Sequence, residues 1–404
     1  MGNISNSNNM SLIVQKFGGT SLEGIDRINA VSDIIISSLQ KYDQLVVVVS
    51  AIAGDTNNLI SLCSAISSLN NSDNHEEALL EIDSVLSSGE VVSAGLLALA
   101  LQRKGVKARS ILAWQLPILA YENQYGQARV LDVNDSLIKQ CLSDKVVPVI
   151  AGFQAINSES RIVTLGRGGS DITAALIAAK INANLCEIYT DVDGLFSGDP
   201  RLIVNAKKID QISFEEMLEL STSGAKVLHS RCVEIAMRHN ISIKILSSFD
   251  PKSTYTLITK YKKDIMEDSI VKAITYNKNL LEVIIQDSNV INIIELLNRN
   301  QVHIELLVCN EKNKFIAQLI DKSRLEQLFL QNNISADFND HIAAIAIIGC
   351  GFKNNHDVLI HITDILKFNN IDVFLLQITE NKISMIIHDS QAEEVTKLLH
   401  NKLL

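Results

Sequence analysis

Proline is scarce in this sequence: four in 404 residues, all at or before Pro251. Glycine stops near the same point, with 16 of 18 before it and only Gly349 and Gly351 beyond. Tight turns and bare-backbone loops are thus concentrated in the first part, where ligand sites need them. The six cysteines (Cys63, Cys141, Cys186, Cys232, Cys309 and Cys350) form no CxxC pair. That excludes a zinc ribbon or a disulfide frame and fits reduced thiols in a cytoplasm. Positive charge is in deficit, 36 Lys and Arg against 46 Asp and Glu, for a net charge of −10. That argues against a nucleic-acid partner, since phosphate backbones attract basic faces. No apolar run has the length a bilayer needs, residues 342–348 being the size of a buried strand, so no membrane partner is expected. The opening MGNISNSNNM lacks the basic start and apolar centre of a signal peptide. It reads as a loose tail over residues 1–10, with Met10 an alternative start.

What is present is core-forming material: 47% hydrophobic and 20% charged residues, enough for two or three domains. Residues 11–250 alternate strand and helix signals. LVVVVSA (45–51), VVPVIAG (146–152) and CEIYTD (186–191) are continuous apolar strands. Leu22, Ile25, Ile28, Val31, Ile35 and Leu39 recur at helical spacing, and ITAALIAAKI (172–181) is a second helical run. This predicts an α/β fold, a mostly parallel sheet sandwiched by helices. Residues 251–269 are polar and charged and read as a linker. Beyond them, strand–helix–strand–strand–helix patterns recur over 270–335 and 336–404. VHIELLV matches IDVFLLQ, and NEKNKF matches TENKIS, in the same order. These predict two small α+β modules related by an internal repeat.

Two glycine loops carry the chemistry. KFGGTS (16–21) and TLGRGGSD (164–171) each open a helix and each hold a cation, Lys16 and Arg167. Bare amides at a helix N-terminus attract anions, and a neighbouring cation strengthens the site. There is no GxxxxGK[ST] loop, and Asp171 stands where the dinucleotide fingerprint has its third glycine, so neither a P-loop nor a Rossmann reading holds. One such loop is an ordinary turn; two point to a polyanion. Asp171 reads either as a helix cap or as an organiser of nearby cations. Glu90, in SSGE before a long apolar run, reads as a charge at a helix N-terminus or as a partner for an ammonium group.

KFGGTS, VVVVSA followed by GDT, SSGE, TLGRGGSD, EIYTDVDG, DPR (199–201) and SFEEMLELSTSGAKVLH (213–229) resemble the aspartokinases in order and spacing. The resemblance covers residues 14–258 closely and implies the amino-acid kinase fold, with the two modules resembling ACT domains. It implies ATP-dependent phosphorylation of the L-aspartate side-chain carboxylate. That is the step toward lysine and diaminopimelate, threonine and methionine. A carboxylate is already ionised at neutral pH, so the site needs cations and amides rather than a histidine base.

The resemblance also implies roles. Lys16, Asp171 and Lys226 would be catalytic. Thr56, Glu90, Arg167, Gly168, Gly169 and Ser170 would bind aspartate, Arg167 through its planar fork. Lys16, Gly18, Gly19, Ser50, Thr190, Asp191, Phe196, Arg201 and Lys226 would hold ATP. Magnesium would come on the nucleotide, with no dedicated protein ligands. Homo-oligomers through the ACT-like modules and a cytoplasmic location follow from the same resemblance. Both modules lack the Pro-Gly turn that regulatory ACT modules carry, at QDSNVIN (286–292) and FKNNHDVL (352–359). Asn310 and Glu380 stand at effector or interface positions, and feedback by lysine or threonine stays open. The competing readings are a glutamate or nucleotide kinase and a non-catalytic amino-acid-binding regulator. The clamp formed by Arg167 and Glu90 and the presence of Lys16 and Asp171 disfavour them.

Overall fold

The computed structural model describes residues 11–66, 75–121, 125–225, 227–260, 270–286, 290–300, 302–309 and 313–404. The expected tail, Lys226, Asn310 and residues 261–269 of the expected linker lie outside these. The described residues form two compact units. One comprises the residues up to Leu195 with 208–218 and 227–260; the other comprises 196–207, 219–225 and 270–404.

The first unit is built on an eight-stranded sheet. Its strands in chain order are β1 (Leu12–Phe17), β2 (Gln44–Val49), β3 (Ala108–Ile111), β4 (Val147–Ala151), β5 (Leu185–Thr190), β6 (Gln211–Ser213), β7 (Ile243–Ser247) and β8 (Thr256–Thr259). Across the sheet they run β6-β8-β7-β5-β1-β2-β4-β3. Every neighbouring pair is parallel except β7 with β8. The valine-rich strands are buried along nearly their whole length because helices cover both faces. Helices α1 (Ile25–Leu39), α2 (Asp55–Ile66), α3 (His75–Arg103), α4 (Ser136–Ser143) and α5 (Gly169–Lys180) precede α6 (Phe214–Thr222) and α7 (Ser230–His239). Ile28, Val31 and Ile35 of α1 and Leu97 and Leu101 of α3 pack with Ile13, Phe17, Val47 and Val49 in one core. Helix α3 is apolar and long enough to cross a bilayer by length and composition alone. Its inner face is accounted for by that core. A four-stranded sheet of short strands, Ile118–Ala120, Val130–Val133, Gln154–Ile156 and Ile162–Thr164, leads into α5.

The linker expectation needs correction at its start. Residues 256–259 are β8, with Thr256 and Ile258 buried and their neighbours half-buried. The two-residue alternation of TLIT marks a strand that the surrounding polar residues mask.

In the second unit the two modules are interleaved. Strands β10 (Leu280–Ile285), β11 (Ile304–Val308), β12 (Asn313–Gln318) and β13 (Ala336–Asn339) form one sheet, ordered β11-β12-β10-β13. The other sheet contains β14 (Ile342–Gly349), β15 (Leu375–Ile378), β16 (Lys382–His388) and the earlier β9 (Val271–Asn277), ordered β15-β16-β14-β9. The expected break at 335/336 therefore does not separate the sheets: β9 pairs with β14, and β13 pairs with β10. Each repeat begins strand, helix, strand, strand, helix, and each sheet then needs a fourth strand. In the first sheet the repeat's own last segment supplies it. In the second, a strand from before the first repeat takes the equivalent place.

Candidate active site

The C-terminal ends of the parallel strands β1, β2, β4 and β5 share one edge, where open α/β sheets bind ligands. At the end of β1 the chain turns through Gly18 and Gly19 into a single 3-10 turn, Gly19–Leu22. A Cβ on Gly19 would lie 2.7 Å from the Ala51 carbonyl oxygen, so only glycine lets this turn seat against the end of β2. Phe17 stacks on Tyr189 of β5, ring centres 4.7 Å apart, which forms the floor beneath the turn. The Gly18 amide donates to the Tyr189 carbonyl at 3.1 Å. It is spent inside the fold, so of the two glycine amides expected to face phosphate, only that of Gly19, at the head of its turn, has no backbone acceptor among the described residues.

Lys16 and Asp171 are 155 residues apart and form an ion pair of 2.6 Å, both side chains close to nine-tenths buried. Asp171 sits in the first turn of α5. The helix begins at Gly169, after Gly168 at φ +69°, and has no side-chain cap. The cap reading of Asp171 is thereby overturned: its carboxylate points at Lys16. Within TLGRGGSD the Gly169 amide closes the turn on the Gly166 carbonyl at 2.9 Å, and Ile172 bonds back to Gly168. The amides of Ser170 and Asp171 are the pair this helix start presents to an anion. Ser170 is buried against Gly152, at the end of β4. Arg167 is exposed on the same loop and makes no hydrogen bond or ion pair among the described residues.

Glu90 is not at a helix start. It lies in the middle of α3, so its reading as a charge favouring the helix dipole falls. One carboxylate oxygen accepts the Ala51 amide at 3.0 Å, and the other is buried without a hydrogen-bond partner. Burial pushes its pKa up to about 7, against the pull of the Ala51 amide and nearby Lys16. A buried carboxylate with an open oxygen suits an incoming ammonium group.

Ser50 follows β2 and donates its amide to Phe17. Thr56 is in the first turn of α2, half-buried. Thr190 ends β5, its hydroxyl donating to Asp191 at 3.0 Å. Phe196 and Arg201 belong to the other compact unit, where the exposed Arg201 is held by Asp199 at 2.7 Å. Lys226 lies outside the described residues.

Several residues that shape the site were passed over in the sequence. The His229 ring seats against Gly168, where a Cβ would come within 2.4 Å of His229 Cβ. Burial and then Arg231 push the His229 pKa down. Phe153 has φ +67° and packs on Gly169. Asp83 is two turns before Glu90 on α3, and with Ser87 the three occupy one helical face, a spacing visible in the sequence. Buried Cys186 and Cys232 have their thiols pushed up by burial and stay protonated.

The model of the amino acid kinase family matches residues 11–247. The Rickettsia bellii aspartokinase is 50% identical, over 98% of this chain and 98% of its own length. The Geobacillus stearothermophilus aspartokinase is 35% identical, over 97% of both chains. This chain belongs to the aspartokinases. Among solved structures of that family, E. coli aspartokinase III in complex with aspartate and ADP superposes with a TM-score of 0.82 at 25% identity. The match covers 97% of this chain and 100% of that one.

Proposed function

We propose that the chain transfers the γ-phosphoryl group of ATP to the side-chain carboxylate of L-aspartate, giving 4-phospho-L-aspartate and ADP. The observation that carries this is the Lys16–Asp171 ion pair, which joins the two glycine loops at one edge of the sheet. E. coli aspartokinase III, with its bound aspartate and ADP, supports the pairing of substrates. An aspartate carboxylate oxygen attacks the γ-phosphorus, the bond to the β,γ-bridging oxygen breaks, and ADP leaves. No proton moves at the nucleophile, which is already ionised. The protein must bring two anions together in line and offset their repulsion.

Lys16, with the Gly19, Ser170 and Asp171 amides, faces the transferring oxygens in this reading. Asp171 holds the ammonium of Lys16 in place. Arg167 grips an aspartate carboxylate, Glu90 takes the ammonium, and Thr56 and Ser170 supply hydroxyls. Ser50, Thr190 and Asp191 lie on the nucleotide side. Lys226, Phe196 and Arg201 enter through their places in the motifs. The donor set is mostly cations and amides, and its one central carboxylate is engaged by Lys16, which fits magnesium arriving on the triphosphate as MgATP. Bound there, the metal offsets phosphate charge. A cytoplasmic location, homo-oligomers through the ACT-like modules and a place at the head of lysine, threonine and methionine synthesis complete the proposal.

The test is ATP-dependent hydroxamate formation with aspartate, then glutamate, each repeated with lysine and threonine added. Hydroxamate from aspartate well in excess of that from glutamate is expected. No product from aspartate would overturn the reading.

A further inference from the structure

Two side chains of opposite charge, buried Asp83 and half-buried Arg231, hold the same pair of backbone segments at the entry to the glycine loop. From α3, Asp83, 2% exposed, accepts the Thr164 amide and hydroxyl, each at 2.8 Å, and the Gly126 amide at 3.0 Å. From the first turn of α7, the Arg231 guanidinium donates to the Leu165 carbonyl at 2.8 Å and the Ala128 carbonyl at 2.9 Å. One carboxylate thus gathers donors, and one guanidinium gathers acceptors, from residues 126–128 and 164–165. Between them the segments bond directly, Ala128 amide to Thr164 carbonyl at 2.9 Å. The close approach also needs glycine at 166: a Cβ there would lie 2.7 Å from the Gly126 carbonyl oxygen.

Only Gly166, Arg167 and Gly168 separate this clamp from the start of α5. Both glycines are in the left-handed region, at φ +79° and +69°, and Gly168 is backed by His229. His229 in turn accepts the Arg231 amide at 3.3 Å. A short span fixed at both ends has little freedom to absorb a displacement at Leu165. Such a displacement is passed on to Arg167 and to Asp171 with its Lys16 partner.

We infer that Asp83 and Arg231 are positioning residues: they touch no reacting atom, and they set the place from which Arg167 and Asp171 act. The inference rests on the activity proposed above. A planar fork can hold two carbonyls at once, and an ammonium in its place can hold one well. Arg231→Lys therefore keeps the charge and loses the clamp.

In Arg231→Lys and Asp83→Asn, kcat/KM for aspartate is expected to fall roughly 10- to 100-fold, the scale of a displacement of about 1 Å at a reacting group. The KM for MgATP stays close to wild type, as does the melting temperature of Arg231→Lys. Millimolar guanidinium is expected to restore part of the kcat of Arg231→Ala. Wild-type kcat/KM in Arg231→Lys would overturn the inference. So would equal losses for both substrates with no rescue by guanidinium. If the wild-type chain itself makes no hydroxamate from aspartate, the activity reading fails and amide hydrogen exchange decides on the clamp. Faster exchange across residues 164–171 in Arg231→Lys, with the strands of the parallel sheet unchanged, supports it, and unchanged exchange there refutes it.

Discussion

Glu90 takes the Ala51 amide at 3.0 Å with one oxygen and buries the other unpartnered, so the site itself holds a carboxyl that titrates near neutrality. Its folded pKa, about 7, is raised above its ordinary value of 4.5. The sign is therefore fixed: its contribution to stability is complete below 4.5 and is lost as pH rises through 7. Holding the ionised form costs about 3 kcal/mol, which a bound ammonium offsets. For aspartate, kcat/KM is expected to rise with pH up to about 7 and then level off. Glu90→Gln should flatten that profile and lower its plateau. A pH series of initial rates decides, and an identical profile in the variant refutes the role.

Lys16→Ala should abolish most turnover while changing the KM for ATP far less, because positioning and charge offset act on the transferring group. It should also destabilise the fold by about 3–5 kcal/mol, since the Asp171 carboxylate is left buried and unpaired. The double variant Lys16→Met/Asp171→Leu is expected to recover stability in urea denaturation without recovering turnover. Turnover that survives in Lys16→Ala would remove the residue from the mechanism.

Gly168→Ala and Gly105→Ala separate backbone strain from a clash. Both positions have positive φ, +69° and +84°, but a Cβ at Gly105 meets nothing within 4 Å, whereas one at Gly168 runs into His229. Gly105→Ala should cost about 1 kcal/mol and leave kcat unchanged. Gly168→Ala should cost more and reduce kcat as well. Melting curves and initial rates on the same preparations test both, and equal effects would show that the His229 contact is unimportant.

His400 is buried in the second unit, its Nε2 sharing a hydrogen bond of 2.8 Å with the Ser197 hydroxyl. Burial, then Lys207, pushes its pKa below 6.5. A depressed histidine contributes stability that is complete above 6.5 and is lost as pH falls below it. Denaturation midpoints should drop between pH 7 and pH 5.5, and less steeply in His400→Gln. A variant with the wild-type slope would assign the drop to other groups.

Much of this was legible in the sequence. The valine runs and the helical recurrence from Leu22 to Leu39 marked a parallel sheet, because strands buried on both faces must be apolar throughout. The Gly-Gly pairs with Lys16 and Arg167 pointed to the anion-binding reading proposed above, because bare backbone beside a cation has a short list of uses. Other features depended on context. The apolar run after SSGE concealed that the helix had begun fifteen residues before Glu90. The polar residues around Thr256 concealed a strand. A repeat found by pattern could not show that β9 would complete the later sheet, because pairing partners leave no periodic trace.

The order of residues alone determined the fold class and the family, since these follow from periodicity and from local motifs. Only the folded chain decided which groups meet. Lys16 reaches Asp171 through the adjacency of β1 and α5, the Gly18 amide is taken up by Tyr189 of the neighbouring strand, and Asp83 and Arg231 converge on one loop from separate helices. These are contacts over large sequence separations, set by how the layers pack, and nothing local in the chain encodes them.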